Sequence, residues 1–318
     1  MGEELMVNRS DVLEAANRIS GCVERTPLIE SEVSGTRIWL KCECLQTGGA
    51  FKLRGATNRL LKLSEEERKR GVVAFSSGNH ARGVAIAAQR LGIRAIIVMP
   101  SDAPAVKVEG TRAEGAEIVF YDRYRENREA IAAKLASEGG ATIVPSFADV
   151  DIVAGQGTVG LEILEQMPEP PKRIVIPCGG GGLASGIALA CPDAEIVIVE
   201  PAGWDDMQRS LETGEIVPVG VDAPPTLCDA LQTPRVSPIT FDILRGRASA
   251  ALSVTDAEVE RAVRWAWDKH ELTVEPGGAV ALAALLAGKV EPTDGTVVVL
   301  SGGNIDPALH ARIVGGAA

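Results

Sequence analysis

Short apolar runs alternate with helical segments along the middle of the chain, and this pattern limits the possible folds most. Between residues 71 and 146 the runs GVVAFSS, IRAIIVMP, AEIVFYD and ATIVPS are rich in apolar, β-branched residues. The segments between them, such as GNHARGVAIAAQRLG, place apolar residues at helical spacing. Strand–helix–strand units of this kind build a parallel sheet flanked by helices.

A second series begins near residue 150, where helical segments separate the strand-like runs RIVIPCG, AEIVIVEP and GTVVVLSGGN. We therefore predict an α/β protein with two lobes, each a mostly parallel sheet flanked by helices. The expected large domain comprises residues 1–70 and 149–318, and the expected small domain comprises residues 71–148. The Pro- and Gly-rich segment 214–238 is expected to be a long functional loop.

Charge and composition argue against several classes of partner. The net charge is −11, from 43 acidic and 32 basic residues, and the basic residues are scattered, so we expect no nucleic-acid partner. The longest apolar run, Ala279 to Gly288, is too short to cross a membrane. The six cysteines and three histidines form no zinc pattern. We expect reduced cysteines and a cytoplasmic protein.

Four consecutive glycines join a predicted strand to a predicted helix in RIVIPCGGGGLASG, residues 173–186. Glycines let backbone amides approach an anion closely, and a helix N-terminus adds positive potential. The run is therefore either a phosphate site or a turn without a ligand. The G-x-G-x-x-A spacing from Gly179, with Glu200 about 20 residues on, also fits the NAD-binding fingerprint. An NAD-dependent oxidoreductase is thus one open alternative.

Lys52 stands at the predicted start of a helix in GGAFKLRGA, residues 48–56. Helix starts favour acidic side chains because the helix dipole is positive there. A lysine at this point is either a solvated surface residue or a nucleophile. Lysine forms imines when it is desolvated enough to lose its proton.

Nine motifs occur in a fixed order from about residue 22 to residue 306. They are RTPL, KCECLQ, AFKLRGA, SSGNHARGVA, AGQGT, the tetraglycine, VEP, EPGGA and SGGN. In these motifs the chain resembles the fold-type II pyridoxal-phosphate (PLP) enzymes, which are tryptophan synthase β-like, and in particular the serine/threonine dehydratases and serine racemases. The resemblance implies a large cofactor-binding domain, a small mobile domain and a homodimer.

The resemblance also implies roles for residues around the cofactor. Lys52 corresponds to the Schiff-base lysine, with Phe51 beside the ring. Asn79 would bind the ring hydroxyl, Ser301 the pyridine nitrogen, and Glu275 would lie near the ring. The phosphate would be held by the tetraglycine segment, which comprises Gly179, Gly180, Gly181, Gly182 and the following Leu183.

A further set of residues is implied for the substrate. Its carboxylate would be bound by Ser76, Ser77, Asn79 and His80, with Arg125 as an additional contact. Arg125 could instead pair with Glu129 at i+4 on a helix surface. Ser77 would lie on the ring face opposite Lys52, which is typical of the racemase branch.

The activity implied is a β-hydroxy-amino acid dehydratase, or ammonia-lyase, that converts L-serine or L-threonine to a 2-oxo acid and ammonia. A serine or aspartate-type racemase and a 3-hydroxyaspartate dehydratase are the alternatives. Arg235 could supply an extra anion contact for hydroxyaspartate.

A divalent cation site is also implied. Glu200, Asp206 and the main-chain carbonyl of Trp204 would bind Mg²⁺ or Ca²⁺. The alternative is that these acidic residues stabilise a helix N-terminus.

Three residues depart from the family pattern. Ala50 replaces a serine before the Phe-Lys pair, Arg82 replaces a common glutamine, and Gly277 replaces a Ser or Thr. Each departure could alter substrate choice, and none removes an essential group.

Overall fold

The computed structural model describes residues 6–103 and 105–316 and contains two sheets flanked by helices. The strands are β1 Leu28–Val33, β2 Thr36–Cys42, β3 Val72–Phe75, β4 Ala95–Pro100, β5 Glu117–Tyr121, β6 Thr142–Ile143, β7 Arg173–Pro177, β8 Glu195–Pro201, β9 Ala248–Val254 and β10 Thr296–Leu300. The helices are α1 Arg9–Ile19, α2 Lys52–Leu61, α3 Glu65–Arg70, α4 Asn79–Leu91, α5 Ala105–Ala113, α6 Arg128–Gly139, α7 Val150–Gln166, α8 Gly182–Ala190, α9 Asp206–Thr213, α10 Pro238–Arg247, α11 Asp256–His270, α12 Pro276–Leu286 and α13 Pro307–Gly315.

The larger sheet has the strand order β1-β2-β10-β7-β8-β9. All its pairings are parallel except the hairpin of β1 with β2. The smaller sheet has the order β5-β4-β3-β6 and is entirely parallel. Central strands such as β10, with the sequence TVVVL, are buried along their whole length, as expected for a sheet covered on both faces. The predicted α/β fold with two mostly parallel sheets is confirmed.

The smaller sheet lies within residues 72–143, and the larger sheet draws strands from both sides of that segment. The division into a large and a small mobile domain remains a prediction. Its ranges include residues 1–5, 104 and 317–318, which lie outside the described residues. Among the residues that the structure describes, no helix is both long and apolar enough to cross a membrane.

Two local features differ from the sequence expectation or refine it. The run ATIVPS is a strand only at Thr142 and Ile143, although the Val144 N–H still donates to the Val73 carbonyl of β3 at 2.9 Å. The segment between α9 and α10 is a long loop as predicted, with one short 3₁₀ turn at Asp229–Leu231.

The strand ends position the candidate site. The carboxyl ends of parallel strands meet at one edge of a sheet, where ligands bind in open α/β folds. At these ends β10 leads to Ser301, β7 to the tetraglycine, and β3 to the loop before Asn79. The predicted site residues therefore lie at the edges expected for a ligand site.

Candidate active site

Lys52 is the first residue of α2, and its amine is partly withdrawn from solvent. Its Nζ donates to the Ser146 carbonyl at 3.0 Å and lies 5.1 Å from the centroid of the Phe51 ring. Burial lowers the pKa of the Lys52 amine to about 8, because the charged form loses hydration. An amine with this pKa is neutral often enough near neutral pH to act as a nucleophile.

The loop before Lys52 is attached to the end of β10. Gly49 has a φ of +74°, and a Cβ there would lie 2.4 Å from Asn304 Oδ1. Ala50 is buried and forms an antiparallel bridge with Gly302, and the Phe51 N–H donates to the Ser301 carbonyl at 3.2 Å. A small residue at position 50 suits this close approach of two backbones.

The tetraglycine segment is too crowded for side chains. A Cβ on Gly180 would lie 2.3 Å from the Phe147 ring, and Gly181 adopts a φ of +85°. Leu183 is buried in the core beneath the start of α8. The backbone can therefore approach an anion where a side chain cannot fit, which suits a phosphate cradle at a helix N-terminus.

Asn79 and Glu275 form the polar side of the site. Asn79 Nδ2 donates to Glu275 Oε1, and Glu275 is almost fully buried. Burial, with the nearby Asp229 carboxylate, raises the pKa of Glu275 to about 7. Ser301 is buried at the end of β10, where its N–H donates to the Gly278 carbonyl at 3.3 Å.

The loop between β3 and α4 carries the predicted substrate residues. Ser76 and Ser77 are half-buried, and Ser76 Oγ accepts from the Gly78 N–H at 3.2 Å. His80 is buried, and its Nε2 lies 2.9 Å from the Val144 carbonyl, so Nε2 carries a proton. Burial and the charge of Lys52 lower the pKa of His80 to about 3. The His80 imidazole is therefore neutral and not a cation.

The structure does not bring Arg125 to this site. Its side chain is 85% exposed and lies 3.6 Å from the Asp122 carboxylate. Arg125 precedes α6, so the alternative i+4 pairing with Glu129 on that helix is not formed either. Arg235 is likewise exposed, in the loop before α10.

The predicted metal residues lie behind the tetraglycine segment, where Met207 contacts Gly181. Glu200 accepts from the backbone N–H groups of Met207 and Gln208 at 3.0 and 2.8 Å. Helix capping therefore accounts for Glu200. Asp206 is different, because both its carboxylate oxygens are buried without a well-aligned hydrogen bond within residues 6–103 and 105–316, although the nearby backbone N–H groups of Asp206 and Val236 favour its ionised form.

The acids here are hard to ionise without a cation. Burial raises the pKa of Asp206 to about 7, and burial together with Asp206 raises the pKa of Glu200. The Trp204 indole donates to the Pro224 carbonyl at 2.8 Å, which holds the connecting turn. The described residues contain no cluster of three or more His, Cys, Asp or Glu side chains suited to a metal. A cation would need the Trp204 carbonyl and water to complete its shell.

Two contacts were not predicted. Phe147 lies against Gly180, and Asn304 bonds to Asn79 at 2.8 Å. Asn304 is the last residue of the SGGN motif, so the motif could have indicated it as a site residue, but no role was assigned to it from the sequence. Phe147 follows β6, and its place after a strand end was the available signal.

The fold has two mostly parallel sheets flanked by helices, and the site combines a partly buried lysine amine with a glycine-rich phosphate cradle. These features are those of enzymes that bind a phosphorylated aldehyde through a lysine. The family described as "Pyridoxal-phosphate dependent enzyme" matches residues 19–302. The chain belongs to that family, as a fold-type II member, and the predicted family is confirmed. The cofactor of the family is PLP, so the NAD-dependent alternative is left without support.

Named relatives narrow the comparison. L-threo-3-hydroxyaspartate ammonia-lyase of Pseudomonas sp is 44% identical, over 96% of this chain and 98% of the relative. The Saccharomyces cerevisiae protein of the same name is 41% identical, over 96% of each chain. The structure of maize serine racemase superposes with a TM-score of 0.90 at 36% identity and covers 95% of both chains.

Proposed function

We propose that the protein is a PLP-dependent ammonia-lyase for β-hydroxy-amino acids, with L-threo-3-hydroxyaspartate as the first candidate substrate. The observation that carries the proposal is Lys52, whose partly buried amine has a pKa of about 8. The relatives at 44% and 41% identity favour hydroxyaspartate over L-serine and L-threonine, which the sequence motifs alone suggested.

The residues present fit the cofactor. Lys52 would hold it through the amine, the tetraglycine segment would hold its phosphate, Asn79 its ring hydroxyl and Ser301 its ring nitrogen. The crowded, side-chain-free cradle at Gly180 supports this assignment. When bound, PLP supplies an electron sink for negative charge that develops at the substrate Cα.

The protein residues would supply binding and proton transfer. The loop from Ser76 to His80 would orient the substrate carboxylate. Once the substrate amine has replaced Lys52 on the cofactor, the freed neutral Lys52 amine would remove the α-proton. The β-hydroxyl would take up a proton and leave as water. The released enamine would tautomerise to an imine, which a water molecule would hydrolyse to the 2-oxo acid and ammonia. A neutral serine at position 301 does not stabilise a protonated ring nitrogen, which favours prompt elimination over transamination.

Racemisation is the second candidate function. Ser77 offers a hydroxyl that could deliver a proton to the face opposite Lys52. The likeness to maize serine racemase supports it. The same scaffold could therefore invert serine or aspartate.

Purified protein tests both functions. We expect a yellow protein that borohydride bleaches, and Lys52→Ala should be colourless with at least a 10³-fold loss of 2-oxo acid release. The assay should compare L-serine, L-threonine, and threo- and erythro-3-hydroxyaspartate, and should measure D-isomers. A protein that PLP cannot turn yellow would refute the proposal, and D-isomer formation without 2-oxo acid would favour the racemase.

We further propose a Mg²⁺ or Ca²⁺ ion at Glu200, Asp206 and the Trp204 carbonyl, because a cation would neutralise the buried Asp206 carboxylate. A cytoplasmic homodimer is also proposed, on the family resemblance alone. Sedimentation of the purified protein would test the dimer, and a single monomer mass across the concentration range would refute it.

A further inference from the structure

Arg82 departs from the family pattern, and the structure places its side chain at one end of a hydrogen-bonded chain. Arg82 Nη1 donates to Asn304 Oδ1 at 3.1 Å. Asn304 Nδ2 then donates to Asn79 Oδ1 and to the Gly48 carbonyl, both at 2.8 Å. Asn79 Nδ2 donates to Glu275. The chain ends at the buried carboxylate beside the proposed cofactor ring.

Arg82 and the Gly48 carbonyl together fix the direction of this chain, because the guanidinium only donates and the carbonyl only accepts. A guanidinium has donors only, so Asn304 must turn its oxygen toward Arg82. Its amide nitrogen then faces Asn79, which must in turn present its own oxygen to Asn304. The Asn79 nitrogen is left facing Glu275, with a second N–H available to the cofactor. A glutamine at position 82 could donate or accept, so the Gly48 carbonyl alone would have to hold this order.

The chain also joins two parts of the fold. Arg82 and Asn79 are three residues apart on α4, which connects β3 to β4 of the smaller sheet, whereas Asn304 follows β10 of the larger sheet. Gly49 leaves the space that Asn304 occupies, since a Cβ there would overlap its side chain. A second contact of Arg82 is weak, because Nη2 lies 3.9 Å from the Glu114 carboxylate.

We propose that Arg82 is a positioning residue, which acts through Asn304 to hold the Asn79 amide with its N–H groups toward Glu275 and the cofactor ring. This inference rests on the proposed function, because it assumes that Asn79 binds the ring hydroxyl. It gives a reason for an arginine at a position where glutamine is common.

The test measures PLP affinity of the apoprotein by fluorescence, with activity as a second readout. Arg82→Met should weaken PLP binding roughly five- to tenfold, as expected for one misaligned internal hydrogen bond. Arg90→Met is the matched control, because Arg90 lies on the same helix and donates to the Cys22 carbonyl at 2.6 Å, outside this chain of contacts. It should bind PLP like the wild type.

A double-mutant cycle then tests the route. In an Asn304→Ala background, Arg82→Met should cause no further loss of PLP affinity, because its partner is already missing. Thermal melting of the apoprotein distinguishes a purely structural role of Arg82 from a positioning role. A purely structural role would lower Tm in Arg82→Met without changing PLP affinity. The inference is wrong if Arg82→Met binds PLP as Arg90→Met does, or if the two losses multiply in the double variant.

If Asn304→Ala does not fold, the PLP affinities of Arg82→Met and Arg90→Met still test whether Arg82 positions Asn79. Failure of the proposed function looks different, because then the wild type itself would not bind PLP as a yellow imine. A yellow wild type with an unaffected Arg82→Met would overturn only the role of Arg82.

Discussion

Lysine side chains are usually exposed and charged, but the Lys52 amine is partly buried. Its ammonium loses hydration in the site, so the pKa falls to about 8, and the neutral fraction rises as pH increases through that value. We expect the rate at which the apoprotein captures PLP as a yellow imine to rise with pH, with a midpoint near 8. An ordinary lysine would titrate near 10.4.

Stopped-flow absorbance at a series of pH values would measure this midpoint. Lys52→Ala is the control and should show no yellow phase at any pH. A midpoint above about 10 would mean that the amine is solvated in the apoprotein. His80 should add no step between pH 5 and 8, because burial already keeps it neutral.

Individual residues differ in how far the sequence could predict them. Lys52 and the glycines lie in contiguous motifs, and the physical reason for each is local. The bond of Arg82 to Asn304 joins residues 222 positions apart, and no local pattern contains it. Arg125 was placed by its motif alone, and nothing in that motif fixes the direction of an exposed side chain.

At the scale of elements, a buried ionic cluster fixes the helix that carries Lys52. Arg54 of α2 is fully buried and donates to Glu43 at 2.8 Å and to Glu162 of α7 at 2.6 Å. Lys41 of β2 donates to the same Glu162. These charges link β2, α2 and α7 directly beneath the site.

Arg54→Met should lower the free energy of unfolding by about 3–5 kcal/mol, because the fully buried Glu43 carboxylate loses its cationic partner and Glu162 keeps only Lys41. Lys62→Met at the end of the same helix is the control. The Lys62 side chain is 43% exposed, so water can solvate Asp151 when the pair is lost, and the loss should cost about 1 kcal/mol. Urea unfolding of the two variants measures the difference, and equal losses would show that burial gives the cluster no special weight.

Helix α9 gives a prediction for the metal. A cation that binds only the folded protein stabilises it by about 2.7 kcal/mol at 100 times its dissociation constant. Ca²⁺ or Mg²⁺ should therefore raise Tm in the wild type but not in Asp206→Asn. Asp205→Asn, next to it, should keep the response because Asp205 instead lies 3.4 Å from Arg209. An unchanged Tm in the wild type would refute the site.

The alternation of strands and helices was predictable because each unit carries its own periodicity. The antiparallel hairpin of β1 and β2 was not predicted, because no helical segment separates these two strands and the alternation of strands and helices does not reach them. Strand order was also beyond reach: β10 lies between β2 and β7, which only tertiary packing decides.

At the scale of the whole molecule, the contacts between the predicted small and large domains are polar as well as apolar. Lys107 of α5 forms an ion pair with Asp229 in the long loop before α10. Asp229 raises the pKa of the Glu275 carboxyl and Lys107 lowers it, so the pair lies near the candidate site. The pair therefore connects the predicted mobile domain to the loop that borders the proposed cofactor site.

Lys107→Met should loosen this connection. A partly exposed ion pair contributes at most about 1 kcal/mol, so amide exchange in α5 should accelerate by up to roughly fivefold. Lys134→Met is the control, because Lys134 lies in the same predicted domain and pairs weakly with Glu138 on its own helix, at 3.9 Å. Exchange mass spectrometry on the PLP-loaded protein gives the comparison. If α5 exchanges equally in both variants, the ion pair does not hold α5 against the long loop before α10.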